Sequence, residues 1–109
     1  MTTYVLTYSQ VSKEMLAHIY EWGKEDFGAV AAKRFVSLLT RDAKILKTSP
    51  YAGAREPLAD GYAHEYRSLV LHSYFKFVYF VDHEHKRVHI VDIWDTRMQP
   101  RFPMAGYED

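Results

Sequence analysis

Glu65-Tyr66-Arg67-Ser68-Leu69-Val70-Leu71, then His72-Ser73, then Tyr74-Phe75-Lys76-Phe77-Val78-Tyr79-Phe80-Val81 is the stretch that decides the fold. Both flanking runs are rich in β-branched and aromatic residues, and two residues separate them, so they read as strands joined by a tight turn. The second run is apolar on both faces apart from Lys76, the pattern of a strand in the middle of a sheet. Arg87 to Asp95, with Val88-His89-Ile90-Val91-Asp92-Ile93-Trp94 inside it, is a third strand after the turn Asp82-His83-Glu84-His85-Lys86. These three strands make an antiparallel meander.

Upstream the period changes from two to about 3.6. Ala32, Phe35, Val36, Leu39, Ala43 and Leu46 fall at offsets 0, 3, 4, 7, 11 and 14, which is the apolar stripe of a helix. Leu16, Tyr20 and Met15, Ile19, Trp22 recur in the same way between Val11 and about Asp26. Ser9 or Ser12 can cap that first helix, and Gly28 suits a left-handed stop between the two. So short a break predicts an antiparallel helical hairpin. Ser49-Pro50 ends the second helix, because proline disfavours helix in the residue before it. Tyr4-Val5-Leu6-Thr7-Tyr8 reads as a strand ahead of the hairpin. Residues 53–63, with Gly53, Pro57 and Gly61, read as a loop. The expected fold is α+β in the order β-α-α-β-β-β, a helical hairpin on one face of a mainly antiparallel sheet. The domain should span 1–97, with 98–109 as a C-terminal tail.

Composition narrows the function classes. The 109 residues suffice for one domain, and 16% aromatics can fill a core, which excludes disorder for most of the chain. Fourteen Lys and Arg balance fourteen Asp and Glu, so there is no excess charge to draw nucleic acid from a distance. With no Cys, a disulfide framework, thiol catalysis and Cys-based zinc sites are excluded. The sequence shows no secretory signal and no membrane-length apolar run, so a cytoplasmic location is expected.

The elements in this order resemble the RelE/ParE superfamily of toxins from bacterial type II toxin–antitoxin systems, over roughly residues 4 to 100. The resemblance is carried by Phe27-Gly28 between two amphipathic helices, by Ser49-Pro50-Tyr51-Ala52-Gly53, and by Tyr66-Arg67-Ser68-Leu69. It continues through Tyr74 to Val81 and through Val88 to Arg97 with Pro100. It implies a protein that arrests growth when free and is silenced by a small antitoxin wrapped around its exposed sheet and helical surfaces. Such an antitoxin would be partly disordered and fold on binding. RelE-like members cut mRNA on the ribosome, whereas ParE-like members poison DNA gyrase. Asp95-Thr96-Arg97-Met98-Gln99-Pro100 and the Ser49-Pro50…Gly53 turn look ParE-like. RelE-like chains end in a cluster of His, Arg and Tyr, of which only Arg97 is present here. A copy that merely binds antitoxin is the third option.

Candidate site residues follow from the resemblance. RNA cleavage without metal needs a base for the 2′-OH and cations for the phosphorane. Glu56 resembles the base of some RelE relatives, and Arg67, Lys76 and Arg97 could supply positive charge. A nuclease requires these four to converge on one concave surface, and a gyrase poison does not. Arg67, Lys76, Trp94 and Arg97 are also the candidates for contact with target or antitoxin. The plain alternatives are a solvated loop acid for Glu56 and an ion pair to Glu65 or Asp92 for Arg67.

The remaining features have plain readings too. His83, His85 and His89 sit around a turn, a poor platform for a metal site, and neither metal nor cofactor is expected. His18, His64 and His72 are scattered, and His72 could be a general acid if the chain were a nuclease. The aromatic run from Tyr74 to Phe80 should pack one set under the helices. Its other set would form an exposed patch for a partner. Lys33, Arg34, Arg41, Lys44 and Lys47, offset locally by Asp42 alone, form a solvated helix face or a dock for an acidic target.

Overall fold

The computed structural model describes residues 3–98. The elements are β1 (Val5–Tyr8), α1 (Gln10–Phe27), α2 (Ala29–Ala43), β2 (Ala54–Arg55), β3 (Arg67–Leu71), β4 (Phe75–Asp82) and β5 (Arg87–Asp95). A 3-10 turn, Lys44–Lys47, extends α2, and another, Pro57–Ala59, follows β2. The α+β order is as the sequence predicts, with β2 added inside the expected loop. Apart from Met98, the expected tail lies outside the described residues.

The sheet order is β1-β5-β4-β3-β2, so the doubly apolar β4 is central, as its composition requires. β1 pairs parallel with β5, while the other neighbours are antiparallel. The helical hairpin makes the crossover that brings β1 and the meander into one sheet. Ser9 caps α1 by accepting from the Ser12 N–H at 3.1 Å, and its hydroxyl donates to the Val91 carbonyl at 2.7 Å. The cap thereby fixes the helix start against β5. Gly28 alone links the helices, at φ 89° and ψ 162°. Its φ is positive, as expected of a glycine stop, but the ψ is extended instead of left-handed helical.

One sheet face carries Phe75, Phe77, Tyr79, Val88, Ile90 and Ile93 against Met15, Ile19, Leu39, Ala43 and Leu46 of the helical layer. Simple alternation along β5 would put Ile90 and Ile93 on opposite faces. A bulge reconciles them: Val78 pairs with Asp92 and Tyr79 with Ile90, so Val91 is an extra residue. Val91 joins Tyr66, Val78, Trp94 and Ala59 in a second core on the other face.

That second core corrects an expectation. Of the alternate aromatic set, Tyr74 is exposed as expected, but Phe80 is not open, because the chain's own segment 56–66 lies over it. The segment closes on itself through the Glu56 N–H and the Tyr66 carbonyl at 2.8 Å, as in a compact Ω-loop. His64 stacks on Phe80 with centroids 3.8 Å apart, and Tyr62 packs edge-on against Tyr66.

Candidate functional site

Lys76 alternates with Phe75 and Phe77, so it projects onto the Ω-loop side of the sheet. Its strand partner there is Trp94, and the ammonium lies 4.9 Å from the centre of the indole. A cation inside so apolar a strand needs a counter-charge, and the loop brings one. Lys76 Nζ donates to Glu56 Oε1 at 2.6 Å, and the Leu58 N–H donates to Glu56 Oε2 at 3.0 Å. Pro57 opens the short 3-10 turn that aims the Leu58 N–H back at the carboxylate. Glu56 is only 1% exposed, which overturns its reading as a solvated loop acid. Burial by itself would raise its pKa. The hydrogen bonds from Lys76, Leu58 and Ser68, with the Lys76 charge, outweigh that and hold the carboxyl below its ordinary value.

Arg67 stands on the opposite face. It pairs with Tyr79 in the ladder, whereas Lys76 pairs with Val70, and Tyr79 and Lys76 differ by three positions along β4. Its Nη1 donates to the Gly53 carbonyl at 2.9 Å, its guanidinium lies 5.0 Å from the Tyr51 ring centre, and Nη2 is 3.6 Å from Glu65. Of the two expected ion-pair partners, Glu65 is the one present; Asp92 pairs with Val78 on the Lys76 side. Gly53 is held from both sides, since its N–H donates to the Tyr79 hydroxyl at 2.8 Å. A Cβ there would fall 2.5 Å from the Ser68 carbonyl oxygen, so the position requires glycine.

Arg97 is engaged a third way. It forms a fork to Asp95, with Nε at 2.9 Å from Oδ1 and Nη2 at 2.6 Å from Oδ2, and lies 4.3 Å from the Tyr74 ring centre. The Arg97 hydrogen bond is the largest of the effects that hold Asp95 below its usual carboxylate range. Asp95 pairs with Phe75, on the helical side, and both Asp95 and Arg97 border a groove of about 510 Å³. Trp22, Phe27, Phe35 and Tyr74 also line this groove, and Trp22, Phe27 and Tyr74 are exposed.

The candidates therefore divide. Glu56, Lys76 and Trp94 come together, while Arg67 and Arg97 are tied down elsewhere. His72 bonds Asp42 at 2.9 Å, joining the β3–β4 turn to α2. Residues His72 and Ser73 take φ of 50° and 69°, the turn that suits the twist of a two-residue hairpin. His83 bonds the Tyr4 hydroxyl, His85 bonds Asp82 and His89 bonds Thr7. Among the described residues, no three His, Asp or Glu side chains form a group able to hold a metal ion. Tyr51 and Tyr74 were named in the sequence, but not as the rings against which Arg67 and Arg97 lie. The lone lysine of β4 was the available signal for the buried acid opposite it.

A helical hairpin over a five-stranded sheet, with paired cations at the ends of its strands, defines a small α+β domain. Neither a protein-family model nor a curated protein matches the chain. Among solved structures it is similar to a chain of the chromosomal ParDE TA system from P. aeruginosa. The TM-score there is 0.70 at 21% identity, over 85% of this chain and 96% of that one. It is also similar to a chain of the toxin–antitoxin complex RelBE2 from Mycobacterium tuberculosis. In that case the TM-score is 0.63 at 18% identity, over 87% and 93%. The fold is thus shared with chains of both systems.

Proposed function

We propose that this chain is the toxin of a type II toxin–antitoxin pair and arrests growth by binding DNA gyrase, not by cutting RNA. The observation that carries this reading is the dispersal of the residues a metal-free nuclease would need. Lys76 is neutralised by Glu56, Arg97 is forked to Asp95, and Arg67 sits on the other face of the sheet from Lys76. A phosphorane needs several open donors aimed at one point, and no such point is formed by these four. Binding needs only a surface. The toxin assignment draws on the fold shared with chains of ParDE and RelBE2 and on the motif resemblance. A short antitoxin is the expected partner, and the apolar groove beside Trp22 and Phe27 is open surface it could cover.

One observation favours the ribosome-dependent mRNA interferase as the second reading: Glu56 and Lys76 form an acid–base pair 2.6 Å apart. Pulse-labelling after induction of this chain alone separates the two. Under the proposed reading DNA synthesis falls first, and the purified chain inhibits supercoiling by gyrase. A collapse of translation with cleaved mRNA, while DNA synthesis continues, would overturn it.

A further inference from the structure

Fewer than half of the described Lys and Arg side chains have an acidic partner. Lys24, Arg55, Arg67, Lys76 and Arg97 each have an acidic partner within 4 Å. Three of the unpaired ones share a row with the paired Arg41. Lys33, Arg34, Arg41 and Lys44 are all exposed along α2 and the start of its 3-10 extension. At about 100° per residue they fall within a single sector of about 100°. That sector faces away from Ala32, Leu39 and Ala43, which pack inward. From Lys33 to Lys44 the row runs about 16 Å. Ser37 lies within it, and no acid does. Asp42 lies outside the sector, where it bonds Arg41 at 2.9 Å and His72 at 2.9 Å. Lys33, Arg34 and Lys44 form no ion pair among the described residues.

Arg41 and Lys44 suit the C-terminal end of the helix dipole, but the row contains no ion pair one turn apart. Arg41 and Lys44 are neighbours at i,i+3 and repel each other, and neither Lys33 nor Arg34 has an acid one turn further on. We infer that this face of α2 docks on the phosphate backbone of duplex DNA. A straight run of cations on a rigid rod matches a stiff polyanion, whose strand presents a phosphate every ~3.4 Å along the axis. The net charge of zero is no obstacle at contact range. Charges more than about 8–10 Å away are screened at physiological salt, so the row acts locally while the whole chain exerts no long-range pull. The affinity is that of non-specific binding, in the range of about 10⁻⁴–10⁻⁶ M. This inference stands apart from the gyrase reading, since it concerns the chain and DNA alone.

The test is fluorescence anisotropy of a labelled DNA duplex of about 20 base pairs, titrated with the full chain between about 50 and 200 mM salt. With Arg41 held by Asp42, three phosphate contacts predict that log K falls with log salt at a slope of about −3. The double variant Lys33→Gln/Lys44→Gln should reduce the slope by about 2 and weaken binding at least about tenfold at the lowest salt. Lys33→Arg/Lys44→Arg should keep both. Thermal melts of the variants check folding, which exposed lysines barely affect. The proposal fails if the chain shows no salt-dependent binding at about 50 mM salt, or if the glutamine pair leaves the slope unchanged. It also fails if polyglutamate binds more tightly than the duplex, because the face would then serve an acidic protein.

Discussion

Replacing Lys76 by Met should invert the pH dependence of stability. Methionine keeps most of the stem's volume over Trp94 and removes the charge. Glu56, 1% exposed in the parent, then loses its Lys76 bond and keeps those from Leu58 and Ser68. Breaking a buried pair from one side costs about 3–5 kcal/mol. Lys76 is 20% exposed at its side chain, so water can reach the vacated spot and the cost falls below that range, to about 2–3 kcal/mol at neutral pH. For a domain of this size that shifts the melting temperature by roughly 10 °C.

The sign differs between the two proteins. In the parent chain the folded pKa of Glu56 lies below its unfolded value. The pair's contribution is therefore present above the unfolded pKa and is lost as pH falls through the folded one. In Lys76→Met, burial dominates and lifts the folded pKa above the unfolded one, so the carboxyl is accommodated better once protonated. The gap between parent and variant should narrow as pH is lowered from about 7 to about 4. Urea unfolding at several pH values reads this directly, and a cycle with Glu56→Gln should give a coupling of about 1.5–3 kcal/mol. A coupling below about 0.5 kcal/mol, or a gap that does not narrow in acid, refutes the account of this pair. Glu56→Gln also bears on mechanism: growth arrest survives it if Glu56 is structural and disappears if Glu56 is a general base.

Three further substitutions test the neighbouring contacts. Gly53→Ala should lose about 3 kcal/mol, because its Cβ meets the Ser68 carbonyl oxygen at 2.5 Å and backbone cannot yield cheaply; an unchanged urea midpoint contradicts this. Tyr79→Phe strands the buried Gly53 N–H and should lose about 1–3 kcal/mol, read in the same assay. Arg97→Ala should weaken growth arrest under either target while the fold persists in circular dichroism, and full toxicity would remove the end of β5 from the working surface.

Much of the architecture was legible because it is written in periodicity. Offsets of three and four along residues 32–46 and the double apolar face of β4 left little choice of element. The bulge at Val91 was not legible, since alternation assumes an unbroken register and one inserted residue shifts every side chain beyond it. β2 is two residues long and held by pairing with Ser68 and Arg67, so its own composition carried no strand signal. The site residues were named from motif positions, but which of them meet depends on the parity of Lys76 and Arg67 across a paired ladder. The fate of Glu56 depended on an Ω-loop returning over the sheet. Nothing local in Arg55-Glu56-Pro57 specifies where that loop lies. The second core under it, from Val78, Val91, Trp94 and Tyr66, is the tertiary reason that the acid is buried.

The engaged cations and the open ones have different physical uses. A guanidinium forked to a carboxylate has spent its best donors and part of its charge, as Arg97 has on Asp95. To serve a phosphate it would have to leave that fork, at the expense of an Asp95 that is 9% exposed. Lys76 would have to leave Glu56 buried in the same way. Catalysis favours donors already in place, because reorganisation at the moment of reaction adds to the barrier. For Lys76, Arg97 and Glu56 the bonds in place stabilise the fold and shape its surface. That is why the rings beside them, Trp94 and Tyr74, and the groove next to Arg97 bear more on a binding function than the charges do.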